Sequence, residues 1–227
     1  VPEWRSLEDL VADIVLLADE RISAVPVREC HEPLVDVREA AEIEVDGRQA
    51  DPDGDYARVR LGVLRRLRRA QSCLPQGYRL VVVEGYRPPE LQESYFAERV
   101  AFLREQHPDW PAARAHREAS RYISPPEVAP HTTGGAVDLT LRGPDGRLCW
   151  MGTEVNATPE DSQEACYTDA ANISHEAAAN RARLRAAMAR AGFVNYPTEW
   201  WHWSTGDRYW AFTAGEALAH YGPLRAD

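Results

Sequence analysis

Four consecutive apolar residues, Leu80-Val81-Val82-Val83, stand between Arg79 and Glu84, and Pro88-Pro89 follow shortly after. An uninterrupted apolar run of this length reads as a strand buried on both faces, so Arg79–Glu84 is expected inside a sheet covered on either side. The two prolines turn the chain and open a helix from about Glu90 to Glu105, through Leu91, Tyr95, Val100 and Phe102. A second strand, Ala136–Leu141, alternates Val137, Leu139 and Leu141 against Ala136, Asp138 and Thr140. Asp138 therefore stands among small residues, with room beside its carboxylate.

Around these strands the spacing predicts mostly helices. Ser6–Glu20 reads as a helix with Ser6 as N-cap. Val59, Val63, Leu64, Leu67 and Ala70 recur at helical spacing over Tyr56–Ala70, with Arg58, Arg65, Arg66, Arg68 and Arg69 as a solvated face. Ala112–Tyr122 is a further helix, and Ser174 caps another that runs to Ala191 and closes at Gly192. Short strands are expected at Ile22–Val27, Leu34–Val37, Glu199–Ser204 and Arg208–Phe212. The polar loop 152–173 is long enough to be a lid or binding loop. Strands and helices without regular alternation indicate an α+β fold, a small mixed or antiparallel sheet with helices packed around it. No domain boundary is visible, so residues 1–227 are read as one domain.

Composition narrows the function. The chain has 227 residues, 26 Lys+Arg and 36 Asp+Glu, for a net charge of −10. That balance argues against nucleic acid and anionic membranes as partners. No run approaches the roughly 18 apolar residues of a membrane span. The start, Val1-Pro2-Glu3-Trp4, lacks a basic and apolar leader, and Cys30, Cys73, Cys149 and Cys166 form no C-x-x-C pair. A cytoplasmic protein with free thiols is expected. The oligomeric state is left open.

Two segments carry chemistry. In His131-Thr132-Thr133-Gly134-Gly135-Ala136-Val137-Asp138 the paired glycines let the backbone bend, so that His131 can return toward Asp138. In Thr198-Glu199-Trp200-Trp201-His202-Trp203 three tryptophans surround a Glu and a His with a low-dielectric wall. The bland readings are a surface His with a capping Asp, and a buried aromatic strand with one satisfied His. Together the segments supply His131, Asp138 and His202, a donor set suited to one catalytic Zn²⁺ per chain with a water in the fourth position. Zinc brings that water's pKa to about 7. Glu199 is the candidate general base, reachable from the same site if the strand bends between it and His202. Arg87 is the candidate oxyanion group, or else an ion-pair partner of Glu84. Neighbouring Tyr86, Trp200 and Trp201 are candidate substrate contacts. Pairings of His175 with Cys149 or Cys166 have no supporting spacing.

These residues resemble the VanX-type D-alanyl-D-alanine dipeptidases, a branch of the zinc D,D-peptidases. The family pattern, Gly-Tyr-Arg-Pro, then Ser-x-His-x-x-Gly-x-Ala-x-Asp, then Glu-x-x-His, is met by Gly85-Tyr86-Arg87-Pro88, by His131, Gly134, Ala136 and Asp138, and by Glu199-Trp200-Trp201-His202. Met151-Gly152-Thr153 and Asn180-Arg181 with Leu184 also match. The similarity covers about Val81 to Trp203 well and the first 50 or so residues poorly. The resemblance implies an α+β fold, His131, Asp138 and His202 as zinc ligands, Glu199 as base and acid, and Arg87 on the tetrahedral intermediate. It also implies hydrolysis of free D-Ala-D-Ala, the precursor that vancomycin-like antibiotics bind.

Two positions depart from the pattern. Ala129 replaces the family Ser, and Asn156 stands where the family Asp anchors the dipeptide's ammonium. Glu154, Asp161, Glu164 or Asp169 are the loop carboxylates that would compensate. The leading expectation is a zinc dipeptidase of D,D-dipeptides, with zinc-bound water deprotonated by Glu199. The alternative keeps the zinc site and acts on a different or N-blocked dipeptide or amide, as a peptide-tailoring amidase in a biosynthetic pathway. A catalytically silent binding module of the same fold is the third reading.

Overall fold

The computed structural model describes residues 14–120 and 122–224. Residues 6–13 of the helix expected over Ser6–Glu20 lie outside them, and its described part, residues 14–19, is not helical: these residues lead through a turn to the Asp19 cap. Seven strands follow in chain order: β1 Leu34–Asp36, β2 Glu44–Val45, β3 Arg58–Arg60, β4 Arg79–Glu84, β5 Ala136–Arg142, β6 Val194–Asn195 and β7 His202–Ser204. The helices among the described residues are α1 Glu20–Ser23, α2 Leu61–Cys73, α3 Pro89–Gln106, α4 Ala112–Ala119, α5 Pro159–Ser162, α6 His175–Arg190 and α7 Arg208–Ala214.

The α+β expectation holds. Five strands form one mixed sheet in the order β2-β4-β5-β7-β6, with β2 parallel to β4 and the other neighbours antiparallel. A separate ribbon pairs β1 with β3. Leu80–Val83 are all buried, as a doubly covered strand requires. One sheet face, with Leu80, Val82, Val137, Leu139 and Leu141, meets Val63, Leu64 and Leu67 of α2 and Leu184 and Met188 of α6 in the main core. The stripe Val59, Val63, Leu64, Leu67 and Ala70 is buried throughout, and Arg65, Arg68 and Arg69 face solvent.

The other sheet face holds the polar groups. Asp138 on β5 is opposite Glu84 on β4 and opposite His202 on β7. A register shift between Val82 and Glu84 brings that carboxylate level with Asp138, a strand irregularity that re-aims a side chain. Three polar side chains thus sit in one row across the sheet, away from the charged group of Glu44, Arg79 and Arg142 toward its other end.

Four other expected elements differ. The segment Ile22–Val27 is not a strand: Asp19 caps the short α1, and only Val27 makes a bridge, to Ala219. Over Tyr56–Ala70 the first residues form a 3-10 turn and β3 before α2 begins at Leu61. The strand expected from Glu199 starts at His202, because Glu199–Trp201 form a turn closed by the His202 N–H on the Glu199 carbonyl at 3.3 Å. Arg208–Phe212 is helical, since the Asp207 carboxylate accepts from Trp210 N and Gly215 ends the helix at φ 73°. As expected, Ser174 caps α6 through Ala177 N, and Gly192 closes it at φ 84°.

Candidate metal centre and cavity

His131 sits in a 3-10 turn, Pro130–Thr133, that ends at Gly134 with φ 67°. A Cβ there would lie 2.5 Å from Leu34, so both the backbone angle and the space call for glycine. Arg60 supports this turn from behind. Its buried guanidinium donates to the carbonyls of Thr133 at 2.7 Å and Glu32 at 2.7 Å, and to Glu29 at 3.0 Å, while its own N–H meets Gly134 O. Nothing in the sequence singles out Arg60 among the neighbouring arginines; its place on β3 is what buries it.

At the front, three donor atoms face one another. His131 Nε2 is 3.1 Å from His202 Nδ1 and 3.3 Å from Asp138 Oδ1, and His202 Nδ1 is 3.0 Å from the same Oδ1. A tetrahedral zinc with bonds near 2.0–2.1 Å separates its ligand atoms by about 3.3 Å. The triangle therefore matches one face of a zinc site, and all three side chains are buried. The His131 Nδ1–H donates to Gly85 O at 2.7 Å, which fixes the tautomer whose Nε2 lone pair faces the cluster. His202 presents Nδ1 instead; its Nε2 is buried without a partner, as are Ser204 Oγ and Asp207 Oδ2.

The charges depend on one another. Burial alone would raise the Asp138 carboxyl, but His131 and His202 hold it well below the usual carboxylate range. Burial would lower His131, yet the Asp138 charge raises it. Burial pushes Glu199 up; His202 pulls it back and the charge of Asp138 adds to the rise. The Glu199 side chain keeps 31% of its surface exposed and places Oε2 3.9 Å from His202 Nδ1. The turn at Glu199–Trp201 brings both residues to one site, which a straight strand forbids.

Of the two roles the sequence left open for Arg87, the ion pair with Glu84 is formed. Nε and Nη2 donate to Glu84 at 2.7 and 2.6 Å, and Nη1 donates to Gln92 Oε1 at 2.7 Å. Three of the five guanidinium N–H groups are thus engaged and two are left for a ligand. The Arg87 N–H meets His131 O at 3.2 Å, tying this arginine to the first donor's backbone.

The cluster opens into a cavity of about 570 Å³, lined by Glu84, Arg87, His131, Asp138, Glu199 and His202 at one end. Trp201 and Asn156 also line it, the latter at φ 66°, as does Ala129. Tyr86 and Trp200 do not. The Tyr86 hydroxyl donates to Leu224 O, and Trp200 is buried with its indole N–H on Thr153. Of the four loop carboxylates, Glu164 lines the cavity. Glu154 pairs with Arg48, Asp161 accepts from Thr158 and Asp169 pairs with Arg185. Sequence reading missed Glu160, and also Gln92, Tyr95 and Arg99, which recur at helical spacing along the cavity face of α3.

An α+β sheet that gathers two imidazoles and a carboxylate beside a second carboxylate and an arginine defines a metallopeptidase site. The family model of the D-ala-D-ala dipeptidases, peptidase family M15, matches residues 27–217, and the chain belongs to that family of zinc metallopeptidases. It is 29% identical to a D-alanyl-D-alanine dipeptidase of Synechocystis sp., over 88% of this chain and 94% of that one. A second, from Enterococcus faecium, is 33% identical over 62% and 69%. Among solved structures, the LdcB LD-carboxypeptidase aligns at a TM-score of 0.47 with 17% identity, covering 84% of this chain and 77% of its own. No helix among the described residues is long and apolar enough to cross a membrane.

Proposed function

We propose that this chain is a zinc-dependent dipeptidase of D,D-dipeptides, with D-Ala-D-Ala as the leading substrate. The observation that carries the reading is the triangle of His131 Nε2, Asp138 Oδ1 and His202 Nδ1, with edges of 3.0–3.3 Å, at the head of a cavity that also holds Glu199. Its family and its similarity to D-alanyl-D-alanine dipeptidases support the substrate. The family match over 27–217, with a cavity lined from Ile14 to His202, supports one catalytic unit.

His131, Asp138 and His202 would hold the ion, whose donor set of two imidazoles and one carboxylate suits Zn²⁺. When bound, zinc supplies Lewis-acid polarisation of the scissile carbonyl and acidifies a coordinated water. Glu199 occupies no corner of the donor triangle, so its carboxylate is available to take a proton from the attacking water. A carboxyl raised by burial returns that proton to the leaving amine more readily than an exposed one. Arg87 directs its two remaining N–H groups at the oxygen that gains charge, and Glu84 and Gln92 keep the fork from rotating away.

A second reading, an amidase for an N-blocked or larger dipeptide, draws on Asn156. A neutral amide lines the cavity where a carboxylate would pair with a free ammonium. A cavity of about 570 Å³ falls within the range of roughly 300–1,000 Å³ that admits drug-sized molecules, more than D-Ala-D-Ala fills. Release of amine from D-Ala-D-Ala, an L,D-dipeptide and N-acetyl-D-Ala-D-Ala by the zinc-loaded enzyme tests both. Preference for free D-Ala-D-Ala supports the first reading, and preference for the blocked peptide the second.

A further inference from the structure

Two of the carboxylates that line the cavity are matched by cationic groups. Glu84 neutralises Arg87, and Asp138 lies between two imidazoles. Arg99 differs. It lines the same cavity from α3, seven residues beyond Gln92 on the face that carries Gln92 and Tyr95. Among the described residues no carboxylate pairs with it, and its Nε is buried without a hydrogen-bond partner. The guanidinium carbon lies 3.9 Å from the ring centre of Tyr122 and 5.3 Å from that of Phe102.

This arrangement holds the fork while leaving its edge unsatisfied. Aromatic rings take the faces of a guanidinium, whereas its N–H donors lie in the plane and need acceptors there. Tyr122 is itself held, since its hydroxyl donates to Glu160 Oε1 at 2.9 Å, and both residues line the cavity. Glu160 accepts from the tyrosine and makes no ion pair with Arg99. A planar cation with an unfilled in-plane edge matches a carboxylate, which accepts two parallel N–H bonds.

We propose that Arg99, stacked on Tyr122, is a carboxylate subsite that selects substrates bearing a free carboxylate away from the scissile bond. The inference rests on the peptidase reading above. Two sources share this chemistry: the C-terminal carboxylate of a dipeptide, and a carboxylate on an acidic side chain.

The test compares wild type, Arg99→Gln and Arg99→Lys, all zinc-loaded, on D-Ala-D-Ala, D-alanyl-D-alaninamide and D-alanyl-D-glutamic acid α-amide. Hydrogen bonds to a charged group imply a loss of about 10- to 100-fold in kcat/KM for the carboxylate-bearing substrate in Arg99→Gln. That loss falls mainly in KM, the amide changes little, and Arg99→Lys retains part of the preference. Dependence confined to D-Ala-D-Ala identifies the C-terminal carboxylate, and dependence confined to the glutamyl amide identifies the side chain. Equal losses on all three substrates, or none, overturn the proposal. Calorimetric binding of N-acetyl-D-alanine, N-acetyl-D-alaninamide and N-acetyl-D-glutamic acid α-amide needs no turnover. Arg99-dependent preference for either acid over the alaninamide, without hydrolysis of any peptide, upholds the subsite and rejects the peptidase reading.

Discussion

His131 Nε2 and His202 Nδ1 face each other at 3.1 Å, although one ring comes from a turn after a proline-rich loop and the other from the short strand β7. Two imidazole nitrogens at that distance share one proton or one cation. The His131 tautomer is already fixed by Gly85 O, so its lone pair points at the cluster, and Asp138 supplies the negative charge that either arrangement needs.

Glu199→Ala and Glu199→Gln are expected to keep zinc and lose turnover by about 10²- to 10⁴-fold, the usual worth of a positioned acid–base group. Glu199 makes none of the three contacts within the donor triangle, so metal content should not change. Single-turnover hydrolysis of D-Ala-D-Ala, measured alongside zinc content, checks both. Undiminished hydrolysis would remove Glu199 from this role.

Arg87→Gln should lower kcat by about 10²- to 10³-fold with a smaller change in KM, as removal of an oxyanion donor does. Glu84→Gln should give a milder loss of kcat, because the fork keeps Gln92 but loses both carboxylate oxygens that orient it. Steady-state kinetics of the two variants and the double variant measure their coupling. Fully additive effects would show that Glu84 does not act through Arg87.

Arg60→Met should destabilise the fold by about 3 kcal/mol, the lower end for breaking a buried pair, because Glu29 keeps 25% of its side chain in water. Burial raises the Glu29 carboxyl, but the N–H groups of Gly222 and His31 and the Arg60 charge bring it below its ordinary value. A lowered folded pKa gives stability that is complete above the unfolded value, near 4.3, and is lost as pH falls through the folded one. Urea melts from pH 7 to pH 3 should therefore show an acid-side decline that is shallower in Glu29→Gln. An unchanged slope would assign the decline to other carboxylates.

Much of this was legible from side-chain pattern. Leu80–Val83 announced a covered strand, Val137, Leu139 and Leu141 put Asp138 on the opposite face, and Ser174 and Gly192 bracketed α6. The metal donors followed from residue type and motif. Two features were hidden for physical reasons, and a third was legible only as a condition. Arg208-Tyr209-Trp210-Ala211-Phe212 has strand propensity, and the Asp207 cap overrides it. On α3, Gln92 and Arg99 face the cavity with polar side chains, so the side that matters carries no apolar stripe to read. Glu199 shares a site with His202 only because a turn interrupts the strand between them, and aromatic neighbours such as Trp200 and Trp201 give no local sign of that turn.

The most direct measurement is zinc content per chain after equilibration with zinc and gel filtration, for wild type and for His131→Ala, Asp138→Ala and His202→Ala. A single zinc in wild type, and none above background in each variant with its circular dichroism unchanged, is the predicted result. Retention of that zinc by folded variants lacking one of these side chains would contradict the account.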